Sequence, residues 1–255
     1  MGNWIRKAIV IAVLLALWEV GARMADAPLL FPTFIDVCQA LADSITAGDG
    51  SLLEYTKETC KSLFAGFAIG ALVASVLTVL AINTKLGEQF LSTITGAFAP
   101  LPAVAVFPIS LMIFGISYAS IVFIAAFATV FPVAVSMTQG FKAVAPTLRN
   151  VGKNMGMSSL GLTCRVLLPA ALPAILTGLR NGFSNAFRAL VAVEMVIGAA
   201  TGSGGLGWAV MAAKQNLEIP QVYAAIFAIM IVGLAFEGVF RLIEAKTVRK
   251  WGMLH

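Results

Sequence analysis

The stretch "MGMSSLGLTCRVLLPAALP", residues 155–173, interrupts an otherwise apolar chain with Gly, Ser, Thr and Arg, and ends on two Leu-Pro pairs. Around it, 60% of the 255 residues are hydrophobic and 11% are charged. A soluble domain of this length would be about half apolar. The runs on either side of the stretch are long enough to cross a bilayer, which takes about 20 apolar residues per helix. The sequence therefore predicts an all-α membrane protein, with residues 155–173 in a loop between spans.

Six spans are expected, near 5–24, 59–82, 90–114, 118–140, 173–200 and 221–243. The connecting segments 25–56, 141–172 and 201–220 remain. The basic start "MGNWIRKAIVIAVLLALWEVGA" resembles a leader, but its apolar run is too long and lacks an A-x-A site, so it is read as a retained first span. Arg6 stands where a myristoylation signal needs Ser or Thr.

Cytoplasmic loops retain Lys and Arg. With the N-terminus inside, the inner segments hold Arg6, Lys7, Lys85, Lys142, Arg149, Lys153, Arg165, Arg241, Lys246, Arg249 and Lys250, whereas the outer segments hold Lys214 alone. This bias places both termini in the cytoplasm. It also explains the net charge of +5 as topology rather than as a nucleic-acid surface. Segment 25–56 is then external. Within it, Thr33 and Asp36 fit a helix-start box. Phe34, Val37, Leu41 and Ile45 follow at helical spacing, as in a helix that lies on the membrane surface or packs on the bundle.

In the second span Ser62, Gly66, Gly70, Ala74 and Thr78 recur every four residues, a small face for close helix packing within the chain or in a dimer. In the third, Pro100, Pro102 and Pro108 each remove a backbone hydrogen bond, which predicts either a kink or a broken span beside a transport site.

The fifth span, "PAILTGLRNGFSNAFRALVAVEMVIG" (173–198), carries most of the intramembrane polarity. Thr177, Arg180, Asn181, Ser184, Asn185 and Arg188 share one helical stripe, with Glu194 at its edge. Charges in a span face a cavity or a partner. The stripe is a candidate substrate pathway with Arg188 as an anion contact. The alternative is an internal ion pair of Arg188 with Glu194 or Glu19. Arg180 lies nearer the inner surface and is expected to snorkel there.

Catalytic and metal signatures are missing from the sequence. The one His is His255, and Cys38, Cys60 and Cys164 have no metal or redox spacing, so three separate thiols are expected. "GSGGLG" at 202–207 follows a span rather than a strand and reads as a loop or re-entrant turn, not a dinucleotide site. There is no phosphate-binding G-x-x-x-x-G-K-[ST] motif.

The loop itself predicts a helix-turn-helix. Pro146 can open a helix on which Leu148, Val151 and Met155 share a face. Gly156 can end it, Ser158 can cap the next helix, and Leu168-Pro169 and Leu172-Pro173 break the chain before span five. Its apolar face either packs on the bundle or receives a soluble partner.

This loop resembles the ATPase-docking loop of binding-protein-dependent ABC importer permeases, whose signature runs E-A-A, three residues, Gly, then a stretch ending in Leu-Pro. Asn150-Val151-Gly152 stand at the E-A-A positions, Gly156 at the Gly and Leu168-Pro169 at the Leu-Pro. "LLFPTF" (29–34), "PLPAVAVFPISLMIFGIS" (100–117), and "ALVAVEMVIG" with "GSGGLGW" (189–208) are similar to the nitrate/sulfonate/taurine branch, so the likeness covers nearly the whole chain.

The resemblance implies a type I ABC importer permease fold in a bacterial inner membrane. It implies a single permease domain, a second permease copy, ATPase subunits below and an extracytoplasmic substrate-binding protein above. ATP and Mg would bind in the ATPase, and no cofactor in this chain. Leu148, Asn150, Val151, Gly152, Met155, Gly156, Ser158, Leu168 and Pro169 would form the docking site, with a coupling helix near 147–156. Asn150 departs from the family's usual Glu, and Arg188 from a small polar residue. A cation at 188 fits a small anion such as a sulfonate, carboxylate, nitrate or bicarbonate. The rival reading is an ion-gradient-driven secondary transporter, for which Glu19, Glu194 and Glu237 are the acidic candidates in the membrane.

Overall fold

A computed structural model describes residues 3–25, 27, 30–46, 51–201 and 204–247. All regular structure among them is helical. In chain order the helices are α1 (Asn3–Ala25), α2 (Phe34–Thr46), α3 (Leu52–Ala81), α4 (Lys85–Phe98), α5 (Phe107–Phe114), α6 (Tyr118–Ala143), α7 (Pro146–Asn154), α8 (Ser159–Leu162), α9 (Leu168–Ala170), α10 (Leu172–Thr201), α11 (Leu206–Gln215) and α12 (Ile219–Thr247). A 3₁₀ turn, Ala103–Val106, precedes α5, and a π-helical turn, Thr163–Leu167, joins α8 to α9.

Four helices are long and apolar enough to cross a membrane unbroken: Ile5–Ala25, Leu52–Ala81, Tyr118–Ala143 and Ile219–Thr247. Two further helix pairs are sharply bent, as in a broken span or a re-entrant loop. Lys85–Phe98 meets Ala103–Phe114 at 93°, and Ser159–Ala170 meets Leu172–Gly198 at 76°. Among the described residues this allows four spans, or up to six if each bent pair is one, and the second pair begins at Ser159, inside the segment read from the sequence as a loop.

The prolines act unequally. Pro100 and Pro102 lie in the non-helical link between α4 and the 3₁₀ turn, where their missing N–H groups end the helix. Pro108 sits in the first turn of α5, where no donor is needed, and so does not break it. The expected break at Leu168-Pro169 is also absent. The π turn carries the chain through Pro169 in helical conformation, and the bend falls at Ala171.

The chain forms two compact units. The first takes the chain up to Thr59 together with Glu194–Val232; the second takes Cys60–Val193 and the chain from Gly233 onward.

In the first unit, Trp18 of α1 stacks on Phe31 at 5.9 Å and meets Tyr223 edge-on at 5.6 Å. Its indole N–H donates to the Pro32 carbonyl at 3.0 Å. The predicted start box of α2 forms reciprocally: the Asp36 N–H donates to Thr33 Oγ1, and the Thr33 N–H donates to Asp36 Oδ2, both at 3.2 Å. Glu19 adds a cap, accepting from the Phe34 N–H at 2.9 Å. Val37 is buried, Leu41 joins a core of Leu52, Leu206, Val210 and Ala225, and Ile45 stays exposed, so α2 is a packing helix along most of its apolar face.

In the second unit, α6 is the central element. Ser62, Gly66, Gly70, Ala74 and Thr78 are all buried, and the glycines bring α3 against α6. A Cβ at Gly70 would come within 2.7 Å of Thr129 Cβ and 2.5 Å of the Ala126 carbonyl. The small-residue face therefore serves packing within the chain. Val133, Ala134, Met137, Phe141, Leu167 and Ile175 build the adjoining core.

Candidate functional site: a polar stripe, a buried carboxyl and a docking loop

The stripe on α10 divides into three parts. Thr177, Asn181, Asn185 and Arg188 are exposed along one face, with Ser184 half-buried beside them. Arg188 Nη2 donates to Asn185 Oδ1 at 2.7 Å, which orients the guanidinium along the helix. Thr177 instead turns its hydroxyl back to the Pro173 carbonyl at 3.1 Å.

Two cavities of about 340 Å³ adjoin Arg188. One is walled by the broken link Phe98–Val104, by Phe127, Phe131 and Pro132 of α6, and by Asn185 and Arg188. The other runs along Val135, Ser136, Asn181, Ser184, Asn185 and Arg188. A smaller cavity of about 170 Å³ places Arg188 beside Phe183, Phe187 and Phe236. No carboxylate lines any of the three among the described residues. The chamber thus combines one cation, two amides, two hydroxyls and aromatic walls. Phe98 and Phe131 stack at 5.7 Å with an interplanar angle of 9°. The sequence reading missed this shelf, although Phe123, Phe127 and Phe131 recur every four residues on one helix face.

Arg180 is paired with α12. Its Nε donates to Glu237 Oε2 at 3.0 Å, its Nη2 pairs with Glu237 Oε1, and its Nη1 reaches Glu244 at 3.3 Å. Carboxylates on α12 thus neutralise the guanidinium. Arg180 is a clamp between α10 and α12 within the second unit rather than part of the open stripe.

Glu194 also leaves the stripe. It is 2% exposed and lies in the first unit. The Thr59 hydroxyl lies 2.9 Å from Oε2 and 3.0 Å from Oε1, and the Gly207 N–H donates to Oε2 at 3.1 Å. The Leu206 N–H donates to Thr59 Oγ1 at 2.8 Å. Leu206 and Gly207 open α11, so Thr59 and Glu194 satisfy two backbone donors that the helix cannot satisfy itself. Gly205 leaves no room for a Cβ beside Thr59 and Glu194. The glycines of "GSGGLG" signalled this close approach; Gly202 and Ser203 lie outside the described residues.

The two carboxylates of the alternative reading have partners within the first unit: Glu194 is held by Thr59 and Gly207, and Glu19 by the Phe34 N–H and Arg23 (2.6 Å).

The loop after α6 is built as expected. Pro146 opens α7, and the Ser158 hydroxyl caps α8 by accepting from the Gly161 N–H at 3.2 Å. Gly156 has φ +73°, the left-handed region that ends helices on Gly. Gly152 is buried beneath Leu162, with no space for a Cβ. Val151 (55% exposed), Met155 (70%) and Leu148 remain uncovered, as do Asn150, Ser158, Leu168 and Pro169. Two bonds tie the loop down. Arg149 Nη2 donates to the Phe141 carbonyl at the end of α6, and Thr163 Oγ1 donates to Asn83 Oδ1 at 3.2 Å.

Residues 66–249 match the family described as binding-protein-dependent transport system inner membrane component. The chain belongs to this family. It is the non-catalytic permease subunit of an ABC importer, an inner-membrane protein, and ATP hydrolysis takes place in partner ATPases. The permease is 28% identical over 251 residues to an aliphatic sulfonates transport permease of Bacillus subtilis, covering 98% of this chain and 88% of that one. It is 27% identical over 250 residues to a nitrate import permease of Synechocystis, covering 96% and 89%. Its fold matches the crystal structure of an amino acid ABC transporter with histidines, with a TM-score of 0.59 at 20% identity, over 76% of this chain and 93% of that one. Membership in an ATP-driven family decides against the gradient-driven alternative. The three membrane glutamates that alternative needed all hold structural partners.

Proposed function

We propose that this permease passes a small anion along the exposed stripe of α10, with Asn185 and Arg188 as its main contacts. The observation that carries the reading is Arg188 beside two cavities with no carboxylate to neutralise it. A cation in a membrane-embedded chamber is costly unless a counter-charge arrives, and a transported anion supplies one. The relatives named for sulfonates and nitrate support the same sign of charge.

The working assembly is two permease copies, ATPases on the cytoplasmic side and a binding protein outside. Both termini lie in the cytoplasm. α7 is the coupling helix, and Leu148, Asn150, Val151, Gly152, Met155, Gly156, Ser158, Leu168 and Pro169 frame the docking site. ATP and Mg bind in the ATPase, and this chain holds no cofactor. Arg149 and Thr163 support the coupling role, because they join α7 and its following turn to the ends of α6 and α3.

The test is uptake of labelled sulfonate and nitrate into liposomes that hold the assembled importer and ATP. Arg188→Gln is expected to cut uptake at least about tenfold, a loss of one charge-assisted hydrogen bond, while the ATPase still assembles. Undiminished uptake by Arg188→Gln would remove Arg188 from the pathway.

A further inference from the structure

The segment 141–172 contains Lys142, Arg149, Lys153 and Arg165 and no Asp or Glu. Two of these cations are engaged: Lys142 pairs with Glu88 at 2.7 Å, and Arg149 donates to the Phe141 carbonyl. Lys153 and Arg165 are exposed and have no ion-pair partner among the described residues. On α7, Gly152 faces inward. At about 100° per residue the outward face then has Asn150 and Asn154 at its centre, with Val151 and Met155 on one flank and Lys153 on the other. This face offers apolar knobs, two amides and a cation, and nothing negative.

We infer that α7 docks into an ATPase groove that is apolar on the Val151–Met155 side and carries a carboxylate rim on the Lys153 side. The inference rests on the reading of this loop as the docking site and adds the sign of the partner's charge. Electrostatic complementarity fixes register and excludes wrong partners. A groove that presents cations at this position would repel Lys153 and find no acid on α7. Anionic lipid is the other surface that could take these cations, but Asn150 and Asn154 argue for a protein. Their amides gain from a hydrogen-bonding groove and lose when pressed into apolar lipid.

The experiment is recovery of the cognate ATPase on the tagged permease, in neutral-lipid nanodiscs, at low and high salt. Lys153→Glu and Asn150→Glu each place an acid against the acidic rim, and each is expected to lower recovery about tenfold at low salt. Lys153→Gln should fall between, and recovery by the unaltered permease should drop as salt rises. Both positions are exposed, so an unchanged size-exclusion profile is expected and controls for folding. Recovery indifferent to both acids and to salt would overturn the inference. So would charge effects seen only when anionic lipid is added, which would assign the cations to headgroups. Failure of the docking reading itself looks different: Val151→Asp would then leave ATPase recovery untouched.

Discussion

The Thr59 hydroxyl and the Glu194 carboxyl, 135 residues apart in sequence, meet at 2.9 Å inside the first unit and together hold the first turn of α11. Thr59 accepts one backbone N–H of that turn and passes its own proton toward Glu194, which accepts the next. Thr59→Val removes the relay without changing shape and leaves the Leu206 N–H unpaired. It is expected to lower stability by about 1–3 kcal/mol. Thermal unfolding in detergent measures this. An unchanged midpoint would show that the relay adds nothing to stability.

Arg180 and Glu237 form the second intramembrane polar contact, on α10 and α12. Each single change to Ala leaves the other charge with one longer contact, Arg180 with Glu244 at 3.3 Å or Glu237 with Arg241 at 3.5 Å. The double change Arg180→Ala with Glu237→Ala is therefore expected to be less destabilised than the sum of the singles, with a coupling of about 0.5–3 kcal/mol. Unfolding of the four proteins completes the cycle. Strict additivity would show that Glu244 alone satisfies Arg180.

Much of this was legible in the sequence. Candidate spans followed from apolar run lengths, the α2 cap from Thr33 and Asp36, a small packing face on α3 from Gly66 and Gly70, and the loop from Pro146, Gly156 and Ser158. These signals are local, because helix ends and small faces are fixed within a few residues. The fates of Arg180 and Glu194 were not legible. Both share the periodicity of the stripe, and what separates them is a partner distant in sequence: Glu237 for one, Thr59 for the other. Helical period reports which face a residue is on and not what that face meets. The 93° break was visible as three prolines, but their unequal effects depended on which one fell in a helix's first turn.

Gly156 separates backbone geometry from contact at the docking loop. Its φ is +73°, and a methyl group added at that position would meet nothing within 4 Å. Gly156→Asn tolerates the left-handed conformation, whereas Gly156→Val carries a strain of roughly 1–2 kcal/mol or more. ATPase recovery is expected to survive Gly156→Asn and to fall with Gly156→Val. Equal loss in both would mean that the partner touches this position directly.

Gly70 tests the packing that frames the pathway. Gly70→Val would drive a side chain into Thr129 and the Ala126 carbonyl and is expected to cost about 1–3 kcal/mol or more. Detergent melting of Gly70→Ala and Gly70→Val should show a graded loss. Full stability of Gly70→Val would contradict the close approach of α3 to α6.

The central claim is that the chamber beside Asn185 and Arg188 is an anion's path. With Cys38, Cys60 and Cys164 replaced by Ser, Asn185→Cys places a thiol beside the guanidinium. Its labelling rates with negatively and positively charged methanethiosulfonates measure the local field. The account predicts several-fold faster labelling by the anionic reagent. It also predicts loss of that preference with Arg188→Gln, and slowing by the transported anion. Equal rates for the two reagents, or a preference that survives Arg188→Gln, would contradict it.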